Sequence, residues 1–326
     1  MNASTCTTTM DAAMEAYLAH QRALGRGYAN EERILYSLRE FLAQIHAVDL
    51  DQSRFEGWCD LHRRLTANVR RSRQRLVRNF CLYRRRSEPD CFVPDLASFP
   101  RSQPYRAPIL VEPEQIGRML ALATRLTPTP GSPLRPAVVR LAIVLLYTAG
   151  LRRGELLRLT LHDVEPQTGV LRIRESKFHK SRLVPLSPDA QAELHHYLSQ
   201  RLTPPFDARP ASPLLCNCTR GRLGPYTGTG LRQAINALFD AAGVCDVNGR
   251  RPRIHDLRHS FALQALLRWY REGGDVQSRL PHLALYMGHV SIVSTAYYLH
   301  WVPSLARVAS DLFERRFGHL FQGGRS

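Results

Sequence analysis

The chain has 326 residues, enough for two domains that each bury a core, and its 44% hydrophobic and 22% charged residues exclude a disordered polypeptide. Its 45 Lys+Arg against 28 Asp+Glu leave a formal charge of +17, mostly from arginine; this points to a polyanionic partner, nucleic acid, ahead of a membrane surface or an acidic protein. No apolar run reaches membrane-spanning length because Arg140 interrupts the longest, no signal peptide is expected, and seven cysteines without regular spacing suit a reducing cytoplasm better than a zinc site.

From Met10 to about Ser87 the spacing predicts helices joined by short turns. Asn30 is the expected cap of a helix with Glu31 and Glu32 in its first turn and an apolar face of Ile34, Leu35, Leu38, Phe41, Leu42 and Ile45. A later helix carries the stripe Leu65, Val69, Leu76, Phe80 and Tyr83 inside a run of arginines from Arg63 to Arg86 that no acid interrupts. Solvated faces normally mix signs, whereas an unmixed basic face is rewarded by the counterions it releases from DNA phosphates. Arg70, Arg71, Arg75 and Arg78 are the expected backbone contacts, and no base-specific reading follows from them.

Residues 88–112 contain Pro89, Pro94, Pro100, Pro104 and Pro108 and read as an extended connector after a first domain over 1–87. Glu112-Pro113-Glu114-Gln115 then opens a helix with proline in its first turn. Beyond the proline-rich loop 127–136, an apolar helix runs from Ala137 to about Thr148 and is stopped by Gly150. The next helix opens on Leu151-Arg152-Arg153-Gly154-Glu155, with Arg152 and Glu155 on one face at an N-terminus that favours anions. Short strands are expected at Val170 to Arg174 and Arg182 to Leu186, around a turn that sets Lys177 on or near a hairpin tip. Helices return at about 188–202 and 230–242, and His255 and Arg258 are co-facial on a further one. The long interval from Arg258 to His289 reads as extended by a loop at Arg271-Glu272-Gly273-Gly274-Asp275. Ser291 is the expected cap of a short helix bearing Tyr297 and Tyr298, and Leu305, Val308, Leu312, Phe313 and Phe317 mark an amphipathic helix after it.

Several of these pieces, in this order, resemble the tyrosine recombinase (phage integrase) family over most of the chain. They are Thr148 to Leu156 around Gly150-Leu151-Arg152, Lys177 to Leu186, His255-Asp256-Leu257-Arg258-His259-Ser260, and Met287-Gly288-His289 followed by Tyr298. The resemblance implies a mainly α fold with a small antiparallel β-sheet. It implies an N-terminal helical, SAM-like core-binding domain over 1–87 that clamps DNA, a linker over 88–112, an α+β catalytic domain over 113–302, and a C-terminal helix and tail over 303–326 that docks in cis or on a neighbouring protomer. It also implies a catalytic set of Arg152, Lys177, His255, Arg258, His289 and Tyr298, the last as nucleophile, with Glu155 supporting Arg152. Where the family has glycine on both sides of the lysine, this chain has Ser176 and Phe178, so Lys180 competes with Lys177.

The residue types suit that chemistry by themselves. Two arginines offer permanently charged planar forks to the non-bridging oxygens of a phosphodiester, and a tyrosine becomes a nucleophile only where positive charge and a base favour its phenolate. A lysine on a hairpin can return a proton to the leaving 5′ oxygen. Neighbouring positions on a helix turn by about 100°, so Tyr297 and Tyr298 cannot share a pocket, and the spacing from His289 selects Tyr298. The expected activity is site-specific DNA recombination through a 3′-phosphotyrosyl link, serving integration, excision or transposition of a mobile element, without metal, ATP or other cofactor. Double-stranded DNA, a tetramer on two DNA sites, and accessory recombinases or DNA-bending proteins are the expected partners, in the cytoplasm at the nucleoid and away from membranes. A type IB topoisomerase and a catalytically inactive DNA-binding regulator are the alternatives.

Overall fold

Residues 9–104, 106–174, 181–219 and 222–288 are described by the computed structural model, and the chain divides into two units, residues 1–106 and 107–326. The first is built on α1 (Met10–Ala23), α2 (Ala29–Gln44), α3 (Gln52–Asp60) and α4 (Ala67–Arg84). Thr9 and Asp51 begin α1 and α3 by accepting from the backbone N–H groups of Ala12 and Arg54. The start of α2 departs from expectation: Asn30 lies inside the helix, and Tyr28 occupies the N-cap in a left-handed conformation with φ 46°. Packing replaces the polar cap, since the Tyr28 ring meets Tyr17 edge-on and their hydroxyls are 3.2 Å apart.

Leu35, Leu38 and Leu42 of the expected apolar face are buried, Ile34 and Phe41 pack against them, and Ile45 is exposed. On α4 the stripe is only half right. Leu76 and Phe80 are buried but Leu65 and Val69 are exposed, and the inward face is completed by Val77, Cys81 and Arg84. Arg84, 3% exposed, reaches Asp49 at 2.7 Å and Glu88 at 2.6 Å, so part of the basic run is internal structure. The proline-rich stretch forms no α-helix, only the 3₁₀ turn Leu96–Ser98, and packs where it passes: Phe99 is buried in the first core and Val111 in the second.

The second unit continues with α5 (Pro113–Ala123), α6 (Arg135–Thr148), α7 (Arg153–Arg158), β1 (Val164–Glu165), β2 (Val170–Ile173) and β3 (Arg182–Pro185). It goes on through α8 (Pro188–Arg201), β4 (Cys216–Thr219), β5 (Arg222–Pro225), α9 (Gly228–Ala241), α10 (Ile254–Arg271) and α11 (Val276–Met287). Glu112 precedes α5 and its N–H donates to Gln115 Oε1 at 2.9 Å, consistent with the proline-led start. Apolar on most of its circumference apart from Arg140, which pairs with Glu193 of α8, α6 buries Val138, Val139 and every residue from Leu141 to Leu146 and packs against α5, α8, α9 and α10. Strands β1, β2 and β3 form one antiparallel sheet in that order, with Leu171 opposite Val184 and Ile173 opposite Arg182.

Two features differ from the sequence reading. The antiparallel pair β4 and β5 was not expected from a stretch rich in Asn, Gly and Pro; it is anchored from outside, where the Cys218 N–H donates to the Gly131 carbonyl. The interval from Arg258 to Gly288 is mostly helix rather than loop, comprising the rest of α10, a turn at 272–275 and α11. Among the described residues no helix is long and apolar enough to cross a membrane.

Candidate active site

The site grows from the end of α6. Gly150 ends it at φ 58°, and a side chain there would collide with the Phe261 ring, so both conformation and space require glycine. The turn delivers Arg152 to the N-cap of α7, where its N–H donates to Glu155 Oε2 at 2.9 Å and its Nη1 to Glu155 Oε1 at 2.7 Å. Arg182, the first residue of β3, donates Nη1 and Nη2 to the same two oxygens at 3.0 and 2.9 Å. Burial pushes the Glu155 carboxyl upward, but hydrogen bonds and charge from Arg182 and Arg152 outweigh it and hold the pKa at about 2. Glu155 is therefore a buried anion shared by two guanidinium groups.

The same arginines converge on the end of α11. Its last carbonyls lack partners within the helix and lie at the negative end of the dipole. Arg182 Nε donates to the Tyr286 carbonyl at 2.7 Å, Arg258 Nη2 to Met287 at 2.6 Å, and Arg152 Nη2 to Gly288 at 2.8 Å. Gly288 takes the left-handed cap conformation, φ 68°, and the next residue in sequence is His289. Arg258 also donates to the Gly150 carbonyl, which ties the end of α6 to the same cluster.

The first turn of α10 holds the remaining groups. Asp256, fully buried, accepts from the Arg253 N–H at 2.9 Å and the Arg253 guanidinium at 2.8 Å, fixing that turn. From it His255 projects to an exposed position, while Arg258 is 1% exposed. The His255 and His259 rings meet edge-to-face at 4.7 Å. Loss of hydration, and then the positive charges of Arg258, Arg253 and Arg152, lower the His255 pKa. His259 is pushed down to about 4, mainly by burial and then by His255. Both rings are neutral near pH 7, so His255 can accept a proton beside a fixed cationic cluster.

Of the sequence-predicted set, Arg152, Glu155, His255 and Arg258 are brought together. Lys177, Lys180, His289, Tyr297, Tyr298 and the C-terminal residues after them lie outside the described residues, as does Ser291. The sequence does not single out Arg182, because the signal for it lies in the sheet register. Residues directly opposite in an antiparallel pair share a face, and Arg182 lies opposite buried Ile173 and two positions from buried Val184, so its side chain points inward and needs a carboxylate. On α4, Arg75 is exposed beside Ser72 and Asn79 along a groove. Arg71 and Arg78 are half-buried and donate to the carbonyls of Pro100 at 2.9 Å and Pro94 at 2.5 Å, and Arg70 is half-buried with its Nε unpartnered. Among the described residues no group of three His, Cys, Asp or Glu is placed to hold a metal.

The sequence model of the phage integrase family matches residues 111–303. A putative integrase/recombinase of Sinorhizobium fredii, y4rB, is 32% identical over 312 residues, 95% of this chain and 98% of that one. Tyrosine recombinase XerD of Caulobacter vibrioides is 34% identical over 195 residues, 59% of this chain and 57% of its own length. The Tn1549 transposon integrase, solved with a circular intermediate DNA, shares the fold at TM-score 0.60 and 17% identity over 94% of this chain and 100% of that one. XerH site-specific recombinase, bound to a palindromic difH substrate, does so at TM-score 0.59 and 18% identity over 88% and 80%.

Proposed function

The chain belongs to the phage integrase family and is a tyrosine site-specific recombinase, and from that premise we propose that it cuts and rejoins double-stranded DNA through a 3′-phosphotyrosyl intermediate on Tyr298. The observation that carries this reading is the meeting of Arg152 and Arg258 at the last carbonyls of α11, one residue before His289 in sequence, with His255 close enough to feel the charge of both. Solved neighbours holding DNA support the choice of substrate.

In the proposed reaction Arg152 and Arg258 bind the non-bridging oxygens, because their planar guanidinium groups stay charged and match the geometry of a phosphate. Tyr298 gives up its hydroxyl proton to a neutral histidine, His289 or His255, as its oxygen attacks phosphorus. The bond to the 5′ oxygen breaks, and Lys177 supplies the proton that oxygen needs. The 5′ hydroxyl of a partner strand then attacks the phosphotyrosyl phosphorus, returning its proton to Lys177, and the tyrosine leaves with the proton that the histidine holds. One phosphoester replaces another, so the exchange needs no external energy source. Four protomers on two sites serve the movement of a mobile element in the cytoplasm, at the nucleoid, with accessory recombinases or DNA-bending proteins as partners. The exposed α4 arginine Arg75 contacts the phosphate backbone, and Arg70, Arg71 and Arg78 lie along the same helix.

A duplex nicked close to the cleavage site tests this, because the short fragment diffuses away and traps the covalent adduct. Wild type and Tyr297→Phe form the adduct and Tyr298→Phe does not. No adduct from wild type on its cognate site would sink the reading, and an adduct accompanied by relaxation without exchange between two sites would turn it into that of a type IB topoisomerase.

A further inference from the structure

Arg182 has no part in the reaction just written, yet its donors are committed to both halves of the site. It is 8% exposed, gives two hydrogen bonds to Glu155, and gives its Nε to the Tyr286 carbonyl. The guanidinium fits because residue 288 is glycine: a Cβ there would lie 2.7 Å from Arg182 Nη1. Strand β3 grips α11 a second time, where the Tyr286 hydroxyl donates to the Pro185 carbonyl at 3.0 Å. Arg152 and Arg258 also hold the end of α11, but those are the guanidinium groups that must turn donors toward a phosphate.

We infer that Arg182 is a positioning residue: it fixes Glu155 so that Glu155 fixes Arg152, and it clamps the end of α11 at Tyr286 when a phosphate draws on Arg152 and Arg258. The inference rests on the DNA-cleavage reading above. Without Arg182 the buried Glu155 carboxylate would have Arg152 as its remaining close cation, and Arg152 would be held to Glu155 at the expense of the phosphate. Lysine cannot substitute, because a single ammonium on a flexible stem cannot bridge two carboxylate oxygens and a carbonyl in one plane.

The competing account is that Arg182 only neutralises a buried acid and so matters for folding alone. Single-turnover adduct formation at saturating nicked DNA, measured beside DNA affinity and thermal stability, separates the two. Arg182→Lys is expected to bind DNA with little change and to cleave on the order of 100-fold more slowly per folded molecule, the size of effect that a misplacement of about 1 Å produces. The double variant Glu155→Gln/Arg182→Met removes both buried charges, guarding against simple misfolding, and is expected to stay equally slow. Wild-type rates in Arg182→Lys, or their recovery in the double variant, would overturn the inference. Wild type forming no adduct would instead strike the cleavage reading beneath it.

Discussion

Glu155 makes the charge logic of the site measurable in acid. Its pKa drops from 4.5 to about 2 on folding, so its ionised form contributes stability in full above pH 4.5 and loses it as pH falls through about 2. That drop corresponds to roughly 3 kcal/mol for a group this buried. In denaturant melts Glu155→Gln is expected to be less stable than wild type above pH 4.5, with the gap closing toward pH 2; a gap independent of pH would contradict the ion-pair account. The histidines work in another window. Both are held below 6.5, so the unfolded chain takes their protons first and the fold loses stability as pH drops below 6.5, down to about 4 for His259. If neutral His255 is the acceptor, the acid limb of adduct formation falls below pH 6.5, and a limb centred above it would exclude that role. At this scale the sequence was informative where a spacing of three set partners side by side, as for Arg152 with Glu155. Arg182 escaped because its strand offers Leu183 and Val184 on opposite faces, and only the register with β2 shows that exposed Leu183 is the outward one.

Glycine placement carries the elements. Gly150 and Gly273 both have positive φ, 58° and 70°, but only Gly150 has a ring against it. Gly273→Ala is expected to cost about 1 kcal/mol from backbone conformation alone, whereas Gly150→Ala is expected to cost about 2 to 4 kcal/mol once overpacking against Phe261 is added. Equal losses in urea melts would show that Phe261 yields freely. Periodicity was enough to find α5, α6, α8 and α9, because each has a proline, glycine or cap residue near its start and a continuous apolar face. It failed for β4 and β5, whose residues have little strand propensity and pair because the surrounding unit anchors them. For the stretch before Gly288 it placed the break at 271–275 correctly but assigned the extra length to that loop, whereas the length lies in the helices on either side.

For the whole molecule, net charge pointed to the partner but not to which arginines meet it, because α4 carries arginine on every side. The structure sorts them. Arg75→Ala is expected to weaken DNA binding and reduce the salt slope by about one, with stability unchanged. Arg84→Ala is expected to destabilise the fold by about 1 to 3 kcal/mol, since a buried side chain is lost and Glu88 loses its charged partner while Asp49 is largely rehydrated. A pure binding defect in Arg84→Ala would show that its burial is not structural. The proposed reaction stands on one covalent bond. Trapping the adduct on nicked cognate DNA, digesting it and sequencing the nucleotide-bearing peptide by mass spectrometry is expected to find the phosphodiester on Tyr298; finding it on Tyr297 or on any other side chain would contradict the account.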